Sequence, residues 1–184
     1  MVLWYHSQMK PIFLILLTLA SPTFGEEEYG TLNPEELSLN ANVQKALRGE
    51  TTMSVCASGY LMTKSGRHDA ARDVFEACAK AGFTGTMTWM SYMEDNGFGG
   101  DYDPDRAAEW DRKAAEMGDP VGKFNYGLGL LRGHGITKNE AAAKDWIDQA
   151  AEDGLEIAKR LQAANYDPDE VTPDADNWKY APIF

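Results

Sequence analysis

Residues 127–154 (GLGLLRGHGITKNEAAAKDWIDQAAEDG) repeat the pattern of residues 91–118 (SYMEDNGFGGDYDPDRAAEWDRKAAEMG) at a distance of 36 residues. Under this shift Trp110 falls on Trp146, and the small residues around the two tryptophans coincide as well. The further matching pairs are Gly97 and Gly133, Gly99 and Gly135, Ala107 and Ala143, Ala114 and Ala150, Ala115 and Ala151, Glu116 and Glu152, and Gly118 and Gly154. Self-similarity at a period of about 20 to 50 residues is typical of solenoids, in which each unit buries its apolar face by stacking on the next.

Each copy has the pattern of a helix hairpin. In the later copy, apolar residues recur mostly three or four positions apart over residues 120–131, as one face of a helix requires. Thr137 and Glu140 form a capping box, which predicts a second helix from Thr137 to a stop at Gly154. In the earlier copy Asp103 and Pro104 predict the same helix start. We expect the tryptophans to fill the core, and at least one glycine of each loop pair, Gly97 with Gly99 and Gly133 with Gly135, to have positive φ.

An earlier hairpin, over residues 52–82, holds both cysteines of the chain. Its turn at residues 64–68 is shorter than the other two loops. Cys56 precedes Arg67 by as many residues as Cys78 follows it, so an antiparallel hairpin places the two cysteines opposite each other. We therefore predict a disulfide. Closing a loop of this length should stabilise the folded chain by about 3 kcal/mol. The alternatives are two buried free thiols, or a catalytic dithiol, for which the C-x-x-C spacing is missing.

The glycine-rich loop and the second helix of the last copy resemble the Sel-one-like repeat family, a relative of the tetratricopeptide repeat with a longer loop between its helices. The residues that carry this resemblance are Gly127, Gly133, His134, Gly135, Ile136, Ala143, Trp146, Ala150, Ala151 and Gly154. The middle copy departs from the pattern in its first helix, at residues 90–93. The resemblance implies an all-α protein, an α-solenoid of about three antiparallel helix hairpins that serves as a scaffold for protein contacts. It implies no active site.

Around this solenoid, assigned to residues 52–164, the sequence predicts three further segments. Residues 1–25 combine Lys10, a short apolar run and a small-residue exit, as in a secretory signal peptide cleaved after Gly25 or Ala20. The alternative is an uncleaved N-terminal segment that tethers the chain to a membrane. Residues 26–51 are acidic and include short capping helices, one of them starting at Asn33. Residues 165–184 form an extended acidic tail with an aromatic end.

The charge balance argues against two classes of partner. With 29 acidic and 17 basic residues, the chain has a formal net charge of -12. Such a surface repels phosphate, so we expect neither nucleic acid nor anionic lipid to bind. Four aspartates at 95, 101, 103 and 105 suggest calcium, but Arg106 and Arg112 stand where an EF-hand loop needs Gly and Glu. His68 and His134 lie in predicted turns, and no catalytic motif is present; we expect no metal, no cofactor and no enzymatic activity.

Partner contacts are predicted on the first helix of each hairpin, because these helices line the concave face in tetratricopeptide relatives. Adaptable methionines and aromatic residues there suit peptide or protein recognition. The predicted contact residues are Met87, Trp89, Met90, Tyr92, Met93, Phe124, Asn125 and Tyr126, joined by Trp178, Tyr180 and Phe184 of the tail. Three alternatives remain for the tail: it folds back on the solenoid, it docks on a partner, or it is disordered without a role.

Two hypotheses for the function remain open at this point. In the first, the protein is exported to the periplasm or secreted. There it is a protein-interaction scaffold, an accessory subunit or assembly factor of a cell-envelope complex, with a membrane-complex subunit as one possible partner. In the second, it is a small secreted hydrolase or peptidoglycan-active protein, a role suggested for some secreted members of the family it resembles. The second hypothesis needs a pocket with a positioned nucleophile, which the sequence does not identify.

Overall fold

The computed structural model describes residues 38–171, and this part of the chain is all-helical. Its α-helices are α1 (Leu39–Leu47), α2 (Met53–Lys64), α3 (His68–Lys80), α4 (Thr84–Asn96), α5 (Pro104–Glu116), α6 (Pro120–Arg132), α7 (Glu140–Glu152) and α8 (Glu156–Ala163), followed by a 3₁₀ turn at Pro168–Val171. The predicted signal peptide and the predicted helix at Asn33 lie outside the described residues. Within residues 38–171, no helix is long and apolar enough to cross a membrane.

Consecutive helices pair into three hairpins, as the repeat predicts. Hairpin 1 consists of α2 and α3, hairpin 2 of α4 and α5, and hairpin 3 of α6 and α7. Each hairpin packs on the next, α3 against α4 and α5 against α6. At the ends, α1 covers hairpin 1 and α8 covers hairpin 3, so both terminal hairpins have a partner for their apolar surface. The prediction of an α-solenoid is confirmed.

Five of the eight α-helices within residues 38–171 start after a short polar side chain that caps them, with one correction to the prediction. Asp103 caps α5 as expected, because its carboxylate accepts from the backbone N–H of Arg106. The predicted capping box at Thr137 is wrong: α7 starts at Glu140, and the amide oxygen of Asn139 accepts from the backbone N–H of Ala142. The backbone N–H of Asn139 also donates to the carbonyl of Leu130. This bond ties the loop to α6 and leaves Thr137 exposed outside the helix.

The loop glycines hold neighbouring hairpins together at close range. Gly97, Gly99, Gly133 and Gly135 all have positive φ, between 64° and 73°, which confirms the prediction. A Cβ at Gly135 would collide with the backbone carbonyl of Pro104, at the start of α5. One repeat earlier, a Cβ at Gly99 would lie 3.0 Å from the backbone carbon of His68, at the start of α3. Each loop therefore rests on the second helix of the preceding hairpin, and only glycine permits that distance.

The core consists mainly of small residues and a few larger apolar side chains. Ala71, Ala107 and Ala143 occupy equivalent buried positions on α3, α5 and α7, where they let the helices approach closely. Trp110 and Trp146 are half-buried and pack against the core from its rim, so the expectation that they fill the core is only partly met. Cys56 and Cys78 form the predicted disulfide across hairpin 1, with their Cα atoms 5.8 Å apart.

Residues 165–171, at the start of the predicted tail, pack against hairpin 3. Val171 is buried, and Tyr166 contacts the core cluster around Ile147. The guanidinium of Arg132 donates to the carbonyls of Pro168 and Val171 at 2.9 and 3.1 Å, which holds the 3₁₀ turn against α6. Trp178, Tyr180 and Phe184 lie outside the described residues.

Candidate functional site: two clefts between successive hairpins

The same three repeat positions come together in each hairpin: one on its first helix, one on its second helix and one on the helix that follows. Because the turn of hairpin 1 is shorter, α2 and α4 end 32 residues apart, at Lys64 and Asn96, whereas α4 and α6 end 36 residues apart, at Asn96 and Arg132. In this register, each set consists of one residue on the first helix of a hairpin, one on its second helix and one on the helix that follows the hairpin. The equivalent sets are Gly59, Phe75 and Trp89; Ser91, Asp111 and Asn125; and Gly127, Ile147 and Leu161.

The first and third sets are apolar. In hairpin 1, a side chain at Gly59 would collide with the ring of Phe75, which is buried and stacks on Trp89 with ring centroids 5.8 Å apart. In hairpin 3, a Cβ at Gly127 would lie 2.9 Å from Cγ1 of Ile147, which shares a core cluster with Leu161. A glycine on the first helix thus makes room for a large apolar residue on the second.

The middle set is polar. The hydroxyl of Ser91 donates to Oδ2 of Asp111 at 2.6 Å, and the amide of Asn125 donates to Oδ1 of Asp111 at 3.2 Å. Asp111 is only 8% exposed, although it occupies the position of Phe75 and Ile147. Two side-chain donors therefore solvate a carboxyl group that stands at the place of a core residue.

Burial raises the pKa of Asp111 to about 7, because the charged form loses its hydration. The hydrogen bonds from Ser91 and Asn125 favour the carboxylate and lower the pKa, but they only partly offset the burial. The negative charges of Asp95 and Asp119 raise it further. A carboxyl group with such a strongly shifted pKa in a cleft is a candidate for a functional role.

Asp111 lies at the base of a cleft of about 210 Å³ between hairpins 2 and 3, which we call the polar cleft. Its walls come from α4, α5 and α6 and from the loop after α6. The lining residues are Thr88, Ser91, Tyr92, Asp95, Ala107, Ala108, Asp111, Asn125, Tyr126, Leu128, Gly129, Arg132 and His134. At the rim, Nε2 of His134 lies 2.5 Å from Oδ1 of Asp95. Because Ser91 pairs with Asp111 and His134 with Asp95, the cleft contains no Ser–His nucleophile arrangement among its hydrogen-bonded pairs.

A second cleft, between hairpins 1 and 2, shares four repeat positions with the polar cleft; it is larger, about 390 Å³, and we call it the apolar cleft. It is lined by Met53, Cys56, Ala57, Tyr60, Phe75, Gly82, Phe83, Thr84, Gly85, Thr86 and Trp89. The ring of Trp89 contacts Tyr60 and Tyr92, with centroids 5.3 and 5.4 Å apart. Since Tyr92 lines the polar cleft, this aromatic row connects the two clefts into one surface, formed mainly by the first helices of the hairpins.

A second buried acid in hairpin 2 has the charged partners that Asp111 lacks. Glu94 is 1% exposed and occupies the position of Met62 and Leu130 in the other hairpins. Arg72 donates to both of its carboxylate oxygens at 2.7 and 3.2 Å, and Arg106 lies 3.2 Å from one of them. The charge of Glu94 is therefore compensated inside the fold, where it connects hairpins 1 and 2.

The predicted contact residues divide into three groups. Tyr92, Asn125 and Tyr126 line the polar cleft and Trp89 lines the apolar cleft. Met87, Met90, Met93 and Phe124 are at most 5% exposed, so their side chains build the core and present no contact surface. The helical period turns these four residues inward, because a first helix has the rest of its hairpin on one side. The tail residues Trp178, Tyr180 and Phe184 lie beyond the described part of the chain.

Sequence reasoning missed Ser91 and Asp111, the central pair of the polar cleft. The signal was present, because the 36-residue shift places Asp111 between Phe75 and Ile147 in the repeat register. Two of the four acidic residues considered for calcium serve other roles: Asp103 caps α5, and Asp95 contacts His134. Within residues 38–171, no group of three or more His, Cys, Asp or Glu side chains is arranged to hold a metal ion.

Comparison with known proteins agrees with this geometry. The family model described as Sel1 repeat matches residues 76–119 and 121–155. A Sel1 repeat protein from Oxalobacter formigenes superimposes with a TM-score of 0.62 at 19% identity, over 77% of this chain and 61% of that one. Cysteine-rich protein B of Helicobacter pylori gives a TM-score of 0.55 at 20% identity, over 65% of this chain and 91% of that one. A search of curated proteins gave no significant match.

The chain thus spans about three fifths of the Oxalobacter protein, and at these identities the structural matches establish the fold alone. Sel1 repeats generally mediate protein–protein interactions, and their fold is typically a non-enzymatic scaffold. The sequence match and the fold lead to the same assignment: residues 76–119 and 121–155 form two Sel1 repeats.

Proposed function

We propose that this protein is a non-enzymatic scaffold that binds an extended segment of a partner polypeptide across the apolar and polar clefts. The observation that carries the proposal is the aromatic row from Tyr60 through Trp89 to Tyr92, which joins the two clefts on one face. Tyr60 and Tyr92 are 43% and 42% exposed, so a partner can reach both rings. Partly exposed aromatic side chains of this kind are enriched at protein interfaces.

The scaffold acts, in this proposal, outside the cytoplasm, as an accessory subunit or assembly factor of a cell-envelope complex. Two features support the compartment. Residues 1–25 have the composition of a secretory signal peptide, and Cys56 pairs with Cys78, as is common in oxidising compartments. Fractionation of the native host with intact-mass measurement tests it: we expect an oxidised chain starting near Glu26 in the exported fraction. A full-length chain with two free thiols in the cytoplasm would refute export and leave the binding proposal standing.

Site-specific photo-crosslinking in the native host tests the binding face. A photoreactive amino acid replaces Tyr92 in one variant and Ala141, which is exposed on α7 and lines neither cleft, in the control. We expect one discrete polypeptide adduct from position 92 and none from position 141. Combining the probe at position 92 with Tyr60→Ala, in the neighbouring cleft, should reduce the adduct severalfold. Equal adducts from both positions, or none from position 92, would contradict the proposal.

A further inference from the structure

The polar set in hairpin 2 stands where the other two hairpins have apolar residues. Hairpins 1 and 3 solve the same packing problem with a glycine opposite Phe75 or Ile147. A buried carboxyl group at this position must lose its hydration, which disfavours the charged form. Replacement of buried polar groups by apolar residues of suitable shape is often stabilising. The Ser91–Asp111 pair therefore serves something other than packing, and its place at the base of a cleft points to a ligand.

Charge accounting in the polar cleft identifies what kind of group is missing. The hydrogen bonds to Asp111 come from two neutral side chains, Ser91 and Asn125, and within residues 38–171 no ion pair includes Asp111. The basic residues of the lining are engaged elsewhere. His134 contacts Asp95, and Arg132 donates to two backbone carbonyls of the 3₁₀ turn. The interior charge of Glu94, by contrast, is met by two arginines.

We propose that the polar cleft receives a lysine or arginine side chain of the bound polypeptide, with the carboxylate of Asp111 as its counter-ion. This inference rests on the proposed function and specifies the chemistry of the partner at one position. Asp95 and Asp119 add negative charge nearby, and the net charge of -12 favours a basic partner. Tyr92 and Tyr126 line the walls, where their rings can contact the methylene groups or the cation of such a side chain.

The size of the cleft agrees with one side chain rather than a whole cofactor. At about 210 Å³ the polar cleft is smaller than the roughly 300 to 1,000 Å³ typical of small-molecule pockets. Trp89 and Tyr92 join it to the larger apolar cleft. The bound segment would therefore present a basic residue to hairpins 2 and 3 and an apolar residue to hairpins 1 and 2.

A positional peptide library tests the proposal on the full protein with its disulfide intact. Each pool consists of hexapeptides with one residue fixed at the third position: Arg, Lys, citrulline, norleucine or Glu. We expect the Arg and Lys pools to be retained at least about tenfold better than the citrulline and Glu pools. Asp111→Asn preserves the shape and removes the charge: its amide oxygen can still accept from Asn125, and its NH2 group can donate to the hydroxyl of Ser91, so it should abolish this preference. Glu109→Gln, an exposed charge on the same helix, is the matched control and should preserve it.

The outcomes separate the inference from the proposed function. Retention of peptide pools without a preference for Arg or Lys, or a preference that survives Asp111→Asn, would overturn the inference and leave the scaffold proposal intact. No retention of any pool would contradict both.

A measurement on the wild-type protein covers the case in which Asp111→Asn fails to fold. The side-chain amide of Asn125 donates to Asp111, so its NMR signal reports directly on the carboxylate. Addition of butylguanidinium, a monovalent guanidinium cation, should shift this signal, and the uncharged analogue butylurea should not. Equal shifts with both compounds, or none with butylguanidinium, would overturn the inference.

Discussion

The two clefts lie between successive hairpins and share the repeat position of Phe75 and Asp111, yet their interiors differ in kind. The apolar cleft rests on Phe75, with Gly59 beneath the ring and Trp89 stacked on it. The polar cleft rests on Asp111, held by hydrogen bonds from Ser91 and Asn125. Both clefts are nevertheless formed by paired helices in the same order, and the contact of the Gly99 loop with the preceding hairpin recurs at Gly135.

This difference shows that backbone geometry and interior chemistry are separable in a repeat protein. The path of the helices depends on small residues at close contacts, such as Ala107, which recurs in all three hairpins, and Gly135, which recurs as Gly99 in hairpin 2. The residue at the base of the cleft does not set this path, so one copy holds phenylalanine and the next aspartate, each with neighbours that suit it, in the same arrangement of helices. A repeat protein can therefore place different side-chain specificities along one binding face.

The strongest test of the comparison moves the polar residue into the apolar cleft. Phe75→Asp removes a buried ring and leaves a carboxyl group opposite Gly59, which has no side-chain donor. We expect a loss of more than about 5 kcal/mol in the free energy of unfolding, since Phe→Ala alone costs about 3 to 5 kcal/mol. Urea unfolding measures the loss, with Phe75→Leu as the control that keeps the site apolar. A loss no larger than that of Phe75→Leu would show that the two sites are not distinct.

The second test uses pH. Asp111 has a pKa of about 7 in the folded protein and about 3.9 in an unfolded chain, so the folded state holds more protons between these values. The contribution of Asp111 to the free energy of unfolding should be fully present below about pH 4 and should fall by roughly 4 kcal/mol as the pH rises through about 7. Asp95, Asp119, His134 and Arg132 also face or border the site. Asp111→Asn, which cannot ionise, should lack this fall, and the difference between the two stability profiles isolates Asp111. If the wild type and Asp111→Asn lost stability in parallel as the pH rises, the raised pKa of Asp111 would be contradicted.

Removal of the disulfide tests the apolar cleft from its other side, since Cys56 lies in its wall. The double variant Cys56→Ser with Cys78→Ser should lower the free energy of unfolding by about 3 kcal/mol, because the unfolded chain regains the freedom of a closed loop. Thermal or urea unfolding gives the value, and reduction of the wild-type protein serves as an independent control. Unchanged stability in both experiments would mean that packing alone maintains hairpin 1.

The smallest expected change converts the polar cleft to the solution found in hairpin 3. Ser91→Gly combined with Asp111→Ile recreates the pair of Gly127 and Ile147. At pH 8, where Asp111 would be ionised, we expect a gain of about 1 to 3 kcal/mol in the free energy of unfolding, because a desolvated charge is removed. The same variant should lose its preference for Arg and Lys peptides. A net loss of stability would indicate that the polar set is required by the surrounding packing.

The sequence predicted the fold better than the site. The 36-residue period, the loop glycines and the position of the cysteines led to the hairpins, the positive φ values and the disulfide. Helix boundaries were less certain, as Thr137 shows: its capping box fits the pattern, but the bond from Asn139 to Leu130 shifts the start by three residues. Among the predicted contact residues, the structure shows Tyr92, Asn125 and Tyr126 lining a cleft, whereas Met90 and Met93 are buried in the core.

Sequence alone determined the repeat and the hairpin architecture, because repetition and glycine spacing follow from covalent order and local backbone preference. The tertiary structure decided which residues face a cleft, because the direction of a side chain depends on which helices pack around it. It also revealed that Asp111 is buried and has a raised pKa. From the sequence alone an aspartate is expected to lie at the surface; the packing of α4, α5 and α6 around Asp111 removes its water and raises its pKa.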